Sequence, residues 1–197
     1  MYKPNKIFHV VCEGKSEYAY IQEFNRILQK KDIDAMLKPH IAGTGHYVEV
    51  VKKYKEIYRN HNKDKKVEAF IIWIDNDIYI RDEKSNSKNY SNKPKSIPDF
   101  RFNKHNFEDF LVLHLSKTKV QKWHDICYKE NHFEIPMKAD VYEPLLSNHI
   151  FPKYQKNELP FELSETALNN LQIHQKDTLI QFKSDFADFL FELLQGK

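Results

Sequence analysis

Residues 7–20 read IFHVVCEGKSEYAY. An apolar run rich in β-branched residues, Ile7 to Cys12, stops abruptly at Glu13-Gly14. From Ser16 onward, Tyr20, Ile21, Phe24, Ile27 and Leu28 recur at helical spacing up to about Lys31. The stretch predicts a buried strand, a tight turn and an amphipathic helix, with Ser16 as the expected N-cap. It also places an acid at the tip of a buried strand, where a desolvated carboxylate needs a partner or a metal.

The same pattern repeats outward. Residues 35–42 (AMLKPHIA) suit a second strand, and Pro39 marks it as an edge. Gly43 and Gly45 frame a turn before a helix over about 46–60. Residues 67–74 (VEAFIIWI) form the strongest strand signal and end at Asp75-Asn76-Asp77. Strand and helix alternating with short turns predict an α/β fold, a parallel sheet flanked by helices. Residues 81–97, rich in Ser, Asn and Lys, read as a polar loop. IPDFRF suggests a short strand, and Asn106–Leu115 an amphipathic helix. The remainder reads as helical over 118–130, 137–150 and, in two pieces, 164–194. The expected organisation is an α/β core over 1–115 and a mainly helical C-terminal extension over 116–197.

Composition narrows the classes. The 197 residues are 41% hydrophobic, 30% charged and 14% aromatic, which fits a globular chain with a proper core. No run of about 18 apolar residues predicts a membrane span, and the N-terminus lacks a small-residue cleavage site. Cys12 and Cys127 make a poor disulfide framework, so a reducing cytoplasm is the expected setting. A net charge of +3 permits nucleic-acid contact without implying it. Basic residues cluster at Lys52, Lys53, Lys55, Arg59, Lys63, Lys65 and Lys66, and again from Lys84 to Lys104. The first group makes Lys52, Lys53, Lys55 and Arg59 candidate nucleic-acid contacts, against the plainer reading of a solvated face.

Ligands of an open parallel sheet bind beyond the carboxyl ends of its strands. Glu13 after the first strand, and Asp75 and Asp77 after the third, therefore point into one region. Residues i and i+2 of an extended segment face the same way, so the two aspartates can converge. Gathered carboxylates repel unless neutralised, and a hard divalent cation such as Mg²⁺ or Mn²⁺ would do so. Glu17 lies one helical turn after Glu13 and can join them.

The chain here resembles known proteins. Glu-Gly after the first strand and Asp-x-Asp after the third are similar to the Toprim domain of topoisomerases, primases and OLD-family nucleases. More narrowly, CEGKSEYAY resembles the opening motif of RloB-like proteins. NKHNFEDFLVLH resembles a second motif of that family at Asn103, Phe107, Glu108 and His114, and FPKYQKNELP resembles its Tyr-x-Lys element. The likeness spans roughly residues 7–160, with Ser16 and Lys104-His105 as departures.

The resemblance implies a Toprim-like core and metal-dependent phosphodiester chemistry. By position, Glu13, Asp75 and Asp77 would bind Mg²⁺ or Mn²⁺. Glu13, Glu17, Glu108 and Lys156 are the implied catalytic candidates, Lys156 (ahead of Lys153) steadying developing negative charge. It further implies DNA or RNA as substrate, tRNA included, and anti-phage defence by abortive infection beside an ATPase partner. The alternatives are a non-catalytic Toprim-fold binding or regulatory subunit, or another metal-dependent phosphoryl-transfer enzyme.

Other constellations fare worse. No HExxH or paired CxxC spacing supports zinc, and no Walker loop follows Gly43 or Gly45. His114 sits among apolar neighbours and reads equally as a core or a catalytic histidine. The C-terminal stripe of Phe182, Phe186, Phe189, Leu190 and Leu193 is either core or a docking surface.

Overall fold

The computed structural model describes residues 4–43, 46–76, 79–80, 100–130 and 139–196. Asp77, Gly45, the expected loop 81–97 and its lysines lie outside the described residues. The chain forms β1 (Lys6–Cys12), α1 (Lys15–Lys30), β2 (Ala35–Ile41), α2 (Tyr47–His61), β3 (Val67–Asp75) and β4 (Phe100–Asn103). Then come α3 (Phe107–Val112), α4 (Lys117–His124), α5 (Ala139–His149), α6 (Glu165–Lys176) and α7 (Asp185–Leu194). A π-helical turn, Asp125–Glu130, follows α4 where one continuous helix is expected.

The four strands make one parallel sheet in the order β2-β1-β3-β4. The α/β expectation holds, and Pro39 lies on the edge strand β2, where its missing N–H harms no central ladder. Because the chain runs from β1 to β2 on one side and then to β3 on the other, the strand order reverses between β1 and β3. Their carboxyl ends flank the resulting crevice.

Alternation along the strands separates two cores. Phe8, Val10, Leu37, Ile71 and Trp73 face α1, α3 and the C-terminal helices. Val11, Ile72 and Ile74 face α2, whose Tyr47, Val50, Tyr54 and Ile57 form its buried stripe. The first core includes residues of both the 1–115 and 116–197 segments, from Phe8 to Leu193. Phe182, Phe186, Phe189, Leu190 and Leu193 all belong to it, so the apolar stripe packs inward. Phe186 stacks on Trp73 with centroids 3.9 Å apart and planes 12° apart, a contact worth about 1 kcal/mol beyond burial. Lys183 joins the last two helices by donating from Nζ to the carbonyls of His174, Gln175 and Asp177, which closes the end of α6.

Ser16 is not the N-cap. Helix α1 begins at Lys15 with Gly14 as its cap residue. The Glu17 carboxylate accepts from the Gly14 N–H at 3.2 Å, the reaching-back half of a capping box. The Ser16 hydroxyl instead accepts from the Asn157 N–H at 3.0 Å, tying the start of α1 to the loop after α5.

His114 is a core residue. Its Nδ1 bonds the Phe110 carbonyl at 3.0 Å and its Nε2 the Tyr20 hydroxyl at 2.9 Å. A carbonyl only accepts, so Nδ1 carries the proton and the tyrosine donates to Nε2. Burial lowers its pKa to about 3 and keeps it neutral. On the α2 face, His9 Nδ1 and His40 Nε2 lie 2.8 Å apart in nearly coplanar rings, with His61 4.5 Å from His9 between centroids. Cys12 and Cys127 are buried free thiols. Among the described residues, no helix is long and apolar enough to cross a membrane.

Candidate metal centre

Each acid reaches the crevice for a local reason. Glu13 directly follows β1, whose buried residues Val10–Cys12 fix the strand's end. Glu17 is the third residue of α1, turned back by its bond to Gly14. Asp75 is the last residue of β3, the strand paired to β1. One carboxylate oxygen from each of Glu13, Glu17 and Asp75 lies within 4.8 Å of the others. Glu17 and Asp75 are buried, Glu13 partly so.

Glu108, the second residue of α3, forms the next layer and is 4% exposed. Tyr142 donates its hydroxyl to Glu108 Oε2 at 2.9 Å and Tyr154 donates to Oε1 at 3.0 Å. Burial raises both tyrosine pKa values, helped by the Glu108 charge, so the hydroxyls stay protonated donors. Lys156 pairs with Glu143 at 2.6 Å. Burial pulls its ammonium down, but Glu143, Glu108 and Glu13 outweigh that and leave it above its ordinary value. The loop carrying Tyr154 and Lys156 turns through two left-handed residues, Lys153 (φ 63°) and Asn157 (φ 75°), a conformation with a real backbone cost outside glycine.

Electrostatics match this arrangement. Burial pushes the Glu17 carboxyl up to about 7, with the Glu108 charge adding to the rise and Lys156 opposing it. Burial likewise raises Glu108, while the two tyrosine hydroxyls oppose the change. Burial and the nearby Glu17 and Glu13 keep the Cys12 thiol protonated. The donor set is therefore oxygen only, with no thiolate. That suits a hard cation of the Mg²⁺ or Mn²⁺ type and not a soft one.

The spacing-based candidates divide clearly. Glu13, Glu17 and Asp75 meet; Glu108 and Lys156 stand next to them through electrostatic coupling to Glu17. Asp77 lies outside the described residues, and Lys153 serves the loop's turn. The basic residues sit elsewhere, on α2 across the sheet. Lys52 pairs with Glu49 at 3.5 Å, Lys53 with Glu56 at 3.1 Å, and Arg59 Nε donates to the Lys55 carbonyl. Since α2 starts at the carboxyl edge, Arg59 lies about 18 Å farther along its axis than Tyr47.

Spacing missed Tyr142, Glu143, Trp73 and Ser184, and left Asn103 without a role. Asn103 Nδ2 donates to Asp75 Oδ1 at 2.8 Å. Its own Oδ1 accepts from Trp73 Nε1 at 3.0 Å and Ser184 Oγ at 2.7 Å. Of this group, only Asn103 had a visible signal, in the motif that contains it; Tyr154, on Glu108, likewise lay in a quoted motif.

A family model described as RloB-like protein matches residues 8–180, a span that takes in every one of these acids and Lys156. The chain belongs to the RloB-like family. The match ends before Ser184, so the last helix of this RloB-like chain falls beyond it. No curated protein and no solved structure matches the chain.

Proposed function

We propose that this RloB-like chain is a metal-dependent nuclease that hydrolyses phosphodiester bonds of DNA or RNA. The observation that carries the proposal is the convergence of Glu13, Glu17 and Asp75 oxygens within 4.8 Å at the sheet's carboxyl edge. These three residues would hold Mg²⁺ or Mn²⁺, with Asp77 as the further ligand expected from the sequence. Such a cation, when bound, neutralises phosphoryl charge and lowers the pKa of water at the site.

The protein's own groups divide the remaining work. Lys156, drawn toward the acids, offers positive charge where the leaving oxygen gains negative charge. Glu108 supplies further negative potential behind Glu17, its two oxygens oriented by Tyr142 and Tyr154. The basic face of α2 is a contact for the nucleic-acid backbone away from the cut. In the cell, the proposed role is cytoplasmic anti-phage defence, with an ATPase partner releasing the nuclease.

The test is cleavage of mixed tRNA, single-stranded DNA and plasmid DNA in Mg²⁺, Mn²⁺ or EDTA, with and without an ATPase encoded alongside. Cutting in metal, absent in EDTA and lost in Glu13→Gln or Asp75→Asn, is the expected result. Full metal-dependent activity in either variant would overturn the site assignment. Metal-dependent binding without cutting would instead make the chain a binding or regulatory subunit.

A further inference from the structure

Asn103 closes β4 directly opposite Asp75 in the strand register, and it is 1% exposed. An amide so placed could in principle point either end at the carboxylate. Here the choice is forced. The Trp73 indole N–H can only donate, so flipping the amide would set two donors face to face. With Oδ1 accepting from Trp73 and Ser184, Nδ2 must face Asp75 Oδ1.

The two groups that hold the amide are themselves held. Trp73 is stacked against Phe186 and edged by Tyr20, Phe107 and Phe110. Ser184 is the N-cap residue of α7, yet its side chain makes no cap hydrogen bond. A serine in that position normally stabilises its helix through such a bond. Its hydroxyl is diverted to Asn103, and an isolated antiparallel bridge joins the two residues. Three segments distant in sequence thus meet at one amide, whose other end donates to Asp75.

We propose that Asn103 is a positioning residue: its amide, locked by Trp73 and Ser184, sets the orientation of the Asp75 carboxylate and thereby the affinity of the acid cluster for a divalent cation. The proposal rests on the metal-centre reading above. It makes the last helix, through Ser184, part of what tunes the site. Outer partners that orient metal ligands commonly change affinity by about 10- to 100-fold when removed.

The experiment is calorimetric titration of the full chain with Mn²⁺ alone, with circular dichroism and melting temperature recorded for each variant. Asn103→Ala should weaken Mn²⁺ binding about 10-fold, and Ser184→Ala a few-fold. The double variant Asp75→Asn/Asn103→Ala should bind no more weakly than Asp75→Asn, because the two losses act through one carboxylate. A purely structural Asn103 would weaken binding equally with or without Asp75, and that result overturns the proposal. So does a folded Asn103→Ala with wild-type affinity alongside an impaired Asp75→Asn. Should Asn103→Ala fail to fold, wild-type affinity in both Ser184→Ala and Trp73→Phe overturns it. A wild type that binds no Mn²⁺ overturns the metal-centre reading, and this inference with it.

Discussion

The acids Glu13, Glu17 and Asp75 at the carboxyl edge and the histidines His9, His40 and His61 beneath α2 are both like-titrating groups crowded against one sheet. Desolvation drives the buried Glu17, His9 and His40 toward their neutral forms, upward for the carboxyl and downward for the imidazoles. Glu17 rises to about 7, while His9 and His40 fall to about 4. The surroundings then diverge. His9 and His40 share one ring-to-ring hydrogen bond, and neighbouring Lys38 and Lys53 further discourage a proton. The acids are met by backbone N–H groups, an asparagine amide and Lys156, all of which favour negative charge. One cluster is set against charge, even with His9 Nε2 buried and without a hydrogen-bond partner. The other is organised around charge it cannot comfortably hold alone, which is the condition for cation binding.

Removing the strain in the acid cluster gives the largest expected change. Glu17 has its folded pKa above the ordinary 4.5, so its contribution is fully present below that pH and is lost as pH rises through 7. Glu17→Gln should therefore stabilise the metal-free protein by about 2–3 kcal/mol at pH 8 and by little at pH 5. Urea unfolding at the two pH values reads this, and Mn²⁺ should stabilise the wild type but not the variant. An unchanged unfolding midpoint at pH 8 would erase the contrast between the clusters.

The histidines should show the opposite sign. Their folded pKa values lie below the ordinary 6.5, so their contribution is present above that value and is lost as pH falls toward 4. Between pH 7 and 5 the protein should lose about 2 kcal/mol from this pair, discounted for partial exposure. The measurement belongs in the Glu17→Gln background, where the opposing acid is gone. Replacing His9 and His40 by Leu should flatten that slope; a slope that persists assigns the acid sensitivity to other groups.

The smallest effect separates the supporting layer from the surface. Tyr154→Phe withdraws one donor from buried Glu108 and should cost about 1 kcal/mol in thermal or urea unfolding. Tyr58→Phe, on exposed α2, should change stability by less than about 0.5 kcal/mol. Equal effects would show that the Glu108 layer is no more tightly organised than the outer face.

The two central strands, β1 and β3, were legible because each carries a largely apolar run that ends in a polar break. Glu13 and Asp75 were legible because the acids follow those breaks, and Glu17 because it lies one turn beyond. The cap of α1 was misread. A hydroxyl at 16 looks like a cap, yet Gly14 with the returning Glu17 already fills that role, which frees Ser16 to bind Asn157. The π-helical turn after His124 had no periodic signature at all.

Local spacing thus determined the α/β alternation, the crevice beyond β1 and β3, and the acids that reach it. The orienting layer came only with the tertiary structure: Asn103 on Asp75 across 28 residues, Tyr142 on Glu108 across 34 and Ser184 on Asn103 across 81. Periodicity records which face of an element is buried. It does not record which partner is buried against it, because that depends on strand order and on how distant helices close over the sheet.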